Sequence, residues 1–267
     1  MNNDGIVNGN HNRRKYSMTG THVICDMYGI KNIAPLTDKD SIEKILNGAV
    51  RASGAHAIAT ITPDYFIKKK YGLTSAVFVK ESIFDIHCYP EQKGAVLDIY
   101  TCGGRAKPVK GLKYIKKKLE PGIMNVLVIK RGNVKNLEIG QPPKKLGKKP
   151  FGYSLVIDAY DCHPKKVLND MDLAYDFLES LPEVLGFKEI STPYLSRKKG
   201  GGLIGGIDLA GHNSVDINTS VSKQLLLLDV FSTKKFDFKT LRKELIKNYK
   251  PGDIDEQWLQ RGVDYLP

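Results

Sequence analysis

Cysteine is scarce in this chain and carries no pattern, and long apolar runs are missing. The four cysteines, Cys25, Cys88, Cys102 and Cys162, form no CxxC pair and no metal-ligand spacing. That argues against a metal site and against a disulfide framework, and leaves free thiols in a cytoplasmic protein as the expectation. No apolar stretch approaches the roughly 20 residues of a membrane-spanning helix, so no membrane partner is expected. The opening MNNDGIVNGNHNRRKYSMTG lacks the apolar core of a secretory signal. Residues 1–19 are expected to be a disordered tail. No ribonucleoprotein box and no zinc knuckle occurs, which leaves nucleic acid without a recognisable reader.

What is present is positive charge and enough apolar residues for a core. The chain has 267 residues, 41% of them hydrophobic, and a net charge of +12. That length suits one large domain or two small ones. The lysines lie in short clusters, IKKKY (67–71), YIKKKLEPG (114–122) and PPKKLGKKP (142–150). With no nucleic-acid motif beside them these read as solvated charge and not as a nucleic-acid surface.

The chain repeats itself. GTHVICDMYGI (20–30) matches GYSLVIDAYDC (152–162), and LDIYTCG (97–103) matches LDVFSTK (228–234). KYIKKKLEPG (113–122) matches KELIKNYKPG (243–252), and IKRG (129–132) matches LQRG (259–262). The offsets run from 130 to 132 residues, in one order. A unit of this length is too long for a solenoid repeat, so each copy should be a small layered domain.

Both copies read alike. A first strand (21–28; 153–160) leads to a helix whose apolar stripe is Ile42, Ile45, Leu46, Ala49 and Val50 in one copy, and Leu173, Ala174, Phe177, Leu178 and Leu181 in the other. Asp40 or Ser41 is the expected cap of the first. Strands are expected near 55–62, 73–80, 83–88 and 94–101, and near 187–194, 203–210, 213–218 and 224–231. A second helix (108–119; 238–249) and a last strand (123–130; 254–260) close each unit. The fold class is α+β: two tandem two-layer sandwiches, each an antiparallel sheet with two helices on one face. The units span 20–132 and 151–267, joined by a Lys-, Pro- and Gly-rich linker at 133–150. Gly200, Gly202 and Gly205 spell a formal GxGxxG, but between two strands; that is a hairpin loop and not a phosphate cradle.

The stretch KESIFDIHCYPE (80–91) is where chemistry concentrates. It places Glu81-Ser82, then His87 five residues after the serine, Tyr89, Pro90-Glu91, and Cys102 twenty residues after the serine. With GTHVICDMYGI before it and LDIYTCG after it, this pattern resembles the prokaryotic S-adenosylmethionine decarboxylase proenzyme family across most of 20–132. The resemblance implies a self-cleaving carboxy-lyase that converts S-adenosylmethionine to its decarboxylated form for spermidine biosynthesis. An arginine or ornithine decarboxylase of the same lineage, or a silent regulatory partner of an active paralogue, are the alternatives.

The resemblance also assigns roles. Ser82 attacks the Glu81 carbonyl, the chain breaks between them, and Ser82 becomes the pyruvoyl cofactor that forms a Schiff base with the substrate amine. His87 is the processing base, Thr74 a processing hydroxyl, and Cys102 the proton donor. Glu91 holds the ribose hydroxyls, while Tyr89 and Phe66 stack on the adenine. One departure stands out: Ile83 follows the serine where the family commonly has histidine.

The second copy lacks this set. An offset of 131 puts His212, Asn213, Asn218, Ser222 and Thr233 where Glu81, Ser82, His87, Glu91 and Cys102 stand in the first. The resemblance further implies that two units pair to build composite sites, with the pyruvoyl and the cysteine from one unit and the processing hydroxyl, the histidine and the ribose-binding glutamate from the other. Paired within one chain, Ser82 would face Asn218 in place of a histidine. A homodimer through the first repeats, with the second repeat as an outer buttress or a regulatory surface, is therefore expected.

Overall fold

The computed structural model describes residues 20–67, 70–132, 151–188, 191–209 and 211–262; the side chains of 64–71 fall outside that description. The expected tail (1–19) and linker (133–150) also lie outside the described residues.

In the first repeat, β1 (Gly20–Tyr28) leads into α1 (Lys39–Ser53), followed by β2 (Ala57–Ile61), β3 (Asp64–Ile67), β4 (Lys70–Val79), β5 (Ser82–Tyr89) and β6 (Gly94–Cys102). α2 (Pro108–Leu119) and β7 (Ile123–Arg131) complete it. The second repeat runs β8 (Gly152–Tyr160), α3 (Met171–Leu185), β9 (Tyr194–Arg197), β10 (Leu203–Leu209), β11 (Asn213–Ser220), β12 (Leu225–Ser232), α4 (Phe238–Tyr249) and β13 (Asp253–Arg261). The sheet orders are β2-β4-β5-β6-β1-β7, with β3 paired to β4, and β9-β10-β11-β12-β8-β13. Element for element the two orders coincide, and every ladder is antiparallel. The α+β reading from the sequence is what the chain adopts.

Local details differ from the expectation for identifiable reasons. The cap of α1 is Asp38, whose carboxylate accepts the Ser41 N–H at 3.0 Å, and not Asp40 or Ser41. The helix ends at Gly54, where φ is +73°, a left-handed turn that glycine adopts without strain. β9 begins at Tyr194 and not near 187: Pro193 has no N–H to give to a ladder, and pairing starts one residue beyond it. β4 extends back to Lys70 because β3 folds onto it as a hairpin. The glycine run makes the expected hairpin loop between β9 and β10, with Gly200, Gly201 and Gly202 all at positive φ.

Each sheet buries one face under its own helices. In the first repeat Ile42, Leu46 and Ile115 meet Val23, Val77 and Leu97; in the second Phe177, Leu181 and Leu245 meet Leu155, Ile217 and Leu228. The other faces bury each other. Phe78, Ile83 and Tyr100 pack on Tyr160, Ile204 and Leu227, and Tyr89 and Val96 on Phe151 and Phe231. The molecule therefore has four layers, helices–sheet–sheet–helices. The expected role of the second repeat as an outer buttress does not hold: it covers the sheet face that the first repeat was expected to offer to another chain. Apolar residues alternate onto both faces of each strand, so both faces demand cover, and the tandem partner supplies it.

Ion pairs lock the two sheets in a reciprocal pattern. Arg131 of the first repeat reaches Asp158 and Asp229 of the second, each at 2.6 Å. Arg261 of the second reaches Asp26 and Asp98 of the first, each at 2.7 Å. The 130–132 residue offset that relates the repeats relates these six residues as well. Burial opposes the charge on both guanidiniums, but the facing carboxylates outweigh it and push both well above the usual arginine value. A pseudo-twofold axis thus runs between the sheets.

Candidate active site

The end of β5 and the end of β6 bring Ser82 and Cys102 together. Ser82 opens β5 opposite Thr101 of β6, so the residue after Thr101 lies beside it. Asn218 of β11 comes in from the second repeat. Its Nδ2 donates to Ser82 Oγ at 3.0 Å and to Cys102 Sγ at 3.5 Å. Lys198, just past β9, donates from Nζ to Asn218 Oδ1 at 2.6 Å. The Cys102 thiol also donates to the Tyr100 hydroxyl at 3.3 Å. These groups border a cleft of about 250 Å³ between the repeats, lined among others by Tyr100, Cys102, Lys198, Asn218 and Lys223. Ser82 is buried one hydrogen bond behind Asn218.

The backbone at the same point is polarised. The Glu81 carbonyl accepts the Cys102 N–H at 2.7 Å. The Glu81 carboxylate is held by His56, through the ring Nδ1 at 2.8 Å and the backbone N–H at 2.9 Å. Burial resists ionisation of Glu81, but the His56 hydrogen bonds prevail and keep it below its usual range.

His87 and Thr74 are elsewhere. They face each other across the β4–β5 ladder, with Thr74 Oγ1 and His87 Nδ1 at 3.0 Å. The five residue steps from Ser82 to His87 span roughly 16 Å of extended strand. His87 Nε2 meets Asp85 Oδ2 at 3.0 Å and Ser214 Oγ at 3.2 Å, and its ring stacks on Phe231 with centroids 4.3 Å apart. His212 closes this region: its Nδ1 is 3.5 Å from Thr74 Oγ1, and burial, reinforced by nearby His87, drives its pKa down to about 3. Asp208 and Asp216 lie close by. Burial, with Asp85 adding to it, lifts Asp208 to about 7 and raises Asp216 as well.

Tyr89 and Glu91, expected to hold a nucleoside, do not line the cleft. Tyr89 stacks on Phe151 at 4.7 Å within an aromatic cluster, and Glu91 lies exposed in the 3₁₀ turn Pro90–Gln92. The Phe66 side chain falls outside the described residues, and only its backbone pairing to Tyr71 is defined. Within one chain the set stands in two places, Ser82 with Cys102 and Thr74 with His87, the division that composite sites built from two units imply. Asn218 was legible through the repeat offset. Lys198 was not: it sits beside a glycine run, and only tertiary contact gives it a role.

The fold and this site define a fused pair of α+β sandwiches with a serine and a cysteine gathered at the seam. Residues 21–132 match the family model described as S-adenosylmethionine decarboxylase. The chain is 36% identical over 120 residues to the S-adenosylmethionine decarboxylase proenzyme of Methanococcus maripaludis, covering 45% of this chain and 95% of that protein. It is 36% identical over 118 residues to S-adenosylmethionine decarboxylase proenzyme 2 of Bacillus anthracis, covering 44% and 93%. The crystal structure of the adenosylmethionine decarboxylase from Aquifex aeolicus aligns at 28% identity and a TM-score of 0.39, over 47% of this chain and 98% of that one. This chain belongs to the S-adenosylmethionine decarboxylase family, through its first repeat. The family match ends at residue 132, before the second repeat begins.

Proposed function

We propose that this chain is a self-cleaving, pyruvoyl-dependent decarboxylase of S-adenosylmethionine with its centre at Ser82 and Cys102. The observation that carries the reading is the shared Asn218 amide, which gathers Ser82 Oγ and Cys102 Sγ at one cleft. The residues fit the making of a pyruvoyl group. Ser82 Oγ stands next to its own scissile peptide, and the Cys102 N–H on the Glu81 carbonyl is placed to take negative charge as that carbonyl is attacked. When present, the group supplies an electron sink for the charge left by loss of CO2. Cys102 then holds the proton returned to the substrate carbon, with Tyr100 orienting the thiol.

Intact mass spectrometry under denaturing conditions tests the reading. Fragments 1–81 and 82–267 are expected, the larger capped by pyruvoyl and reactive toward hydrazine. Ser82→Ala abolishes the split; Cys102→Ala keeps it and slows CO2 release from labelled S-adenosylmethionine by about 10²-fold or more. A chain that stays whole overturns the reading and leaves a silent partner of an active paralogue.

Two observations favour variants of this reading. The cleft of about 250 Å³ is below the roughly 300–1,000 Å³ of small-molecule sites, and neither Tyr89 nor Glu91 lines it. That favours a smaller substrate such as free arginine or ornithine, and CO2 release from each amino acid decides. Secondly, each repeat carries both halves of the ion-pair pattern, Arg131 with Asp26 and Asp98 in the first, so a first repeat is complementary to another first repeat. By the pseudo-twofold, His87 of a second chain would then stand where Asn218 stands. The homodimer reading therefore requires the repeats to part and exchange. Mixed Ser82→Ala and His87→Ala chains would regain cleavage only in that arrangement; cleavage by a strict monomer excludes it.

A further inference from the structure

Lys198 is the charged side chain at the cleft that the family resemblance does not use. Its backbone is fixed at the head of the glycine loop, where its N–H donates to Gly202 O at 2.9 Å and its carbonyl accepts from Gly201 N at 3.2 Å. Its ammonium has donors and no acceptor, so it can face only the oxygen of the Asn218 amide. That fixes the amide the other way round at its far end. Both Nδ2 contacts, to Ser82 Oγ and to Cys102 Sγ, exist because Oδ1 is held by Lys198. A reversed amide would set NH2 against an ammonium and a lone pair against the serine oxygen.

We propose that Lys198 is a positioning residue for chain cleavage between Glu81 and Ser82, acting by orienting and polarising Asn218 toward Ser82 Oγ. This rests on the intrachain reading of the site given above. In the step it serves, Oγ bonds to the Glu81 carbonyl carbon and the C–N bond of that peptide breaks. The hydroxyl proton ends on the freed nitrogen of residue 82, so amide becomes ester with nothing else consumed. Negative charge appears on Oγ as its proton leaves and passes to the Glu81 oxygen as the new bond forms; the Asn218 amide faces the first oxygen and the Cys102 N–H the second. An ammonium on the far side of the amide strengthens the Asn218 donor. Burial depresses the Lys198 pKa, Cys102 acts to raise it, and Lys223 lowers it further. Cys102 of β6 and Lys223 of the turn before β12 are the titratable groups facing it.

The test follows fragment formation in the full chain, with hydroxylamine to reveal ester, for wild type, Lys198→Met and Lys198→Arg. Methionine is expected to slow the split about tenfold or more, and arginine, which keeps charge and donors, to restore most of it. The rate of wild type relative to Lys198→Arg should fall as pH rises toward the ordinary lysine range, because lysine loses its proton there and arginine does not. That comparison stands even if the methionine variant fails to fold, and a merely structural lysine would not produce it. Wild-type cleavage that is matched by Lys198→Met, or a flat ratio across pH, overturns the positioning role and leaves the decarboxylase reading intact. A wild-type chain that never splits removes the reading itself.

Discussion

Single residues at the seam carry opposing electrostatic demands. Asp208 is buried near Asp85, His87 and Asp216, and its pKa is lifted to about 7 by burial first and Asp85 second. An acid whose folded pKa is raised stabilises the fold in its protonated form. That stability is complete below about pH 4 and is lost as pH climbs through about 7. Asp208→Asn is expected to flatten this part of the pH–stability curve, a slope worth roughly 4 kcal/mol at most, as read by denaturant melts at several pH values. Asp98 behaves oppositely. Burial opposes its charge, but Arg261 and His22 overcome that and hold it below the usual carboxylate range. Its contribution is present at neutral pH and fades on acidification below about pH 4.

At the scale of elements, close backbone approach decides what glycine does here. A Cβ on Gly205 of β10 would run into the Tyr194 carbonyl of β9 and the Leu195 side chain. Backbone cannot yield as a side-chain tip can, so Gly205→Ala should destabilise the β9–β10 pairing by about 1–3 kcal/mol. The loss should appear in hydrogen exchange of 194–197 before it appears elsewhere. The cap of α1 is a gentler case. Asp38→Ala removes the acceptor for the Ser41 N–H and is expected to cost about 1 kcal/mol, measured as a shift in unfolding midpoint. Both effects come from residues whose importance was hidden in the sequence. Gly205 looked like part of a loop motif, and Asp38 lay two residues before the aspartate and three before the serine that a pattern reading favours.

For the whole molecule the decisive feature is the reciprocal pair of buried arginines. Replacing Arg131 with Met leaves Asp158 and Asp229 facing each other without their cation. Losing one member of a buried pair costs about 3–5 kcal/mol. Arg261→Met should cost a similar amount through Asp26 and Asp98, because the pseudo-twofold gives each arginine two facing carboxylates. Urea titrations of the two variants test this, and a large inequality would speak against the twofold equivalence of the seam.

Reading along the chain was enough for the repeat, the α+β class and the order of elements apart from β3. Those follow from local alternation and from landmarks such as the Asp-x-Tyr and Arg-Gly pairs, which need no knowledge of what faces what. The family resemblance of the stretch around Ser82 also marked Ser82, His87 and Cys102 as a set. Tertiary contact alone settled that the second repeat covers the first, that Lys198 joins Asn218 beside Ser82 and Cys102, and that Asp85, Ser214 and Phe231 surround His87. The physical reason is that a strand with apolar residues on both faces states that it must be covered twice, but not by which surface. Two repeats with the same charge pattern can satisfy each other or their equals, and the linked one won.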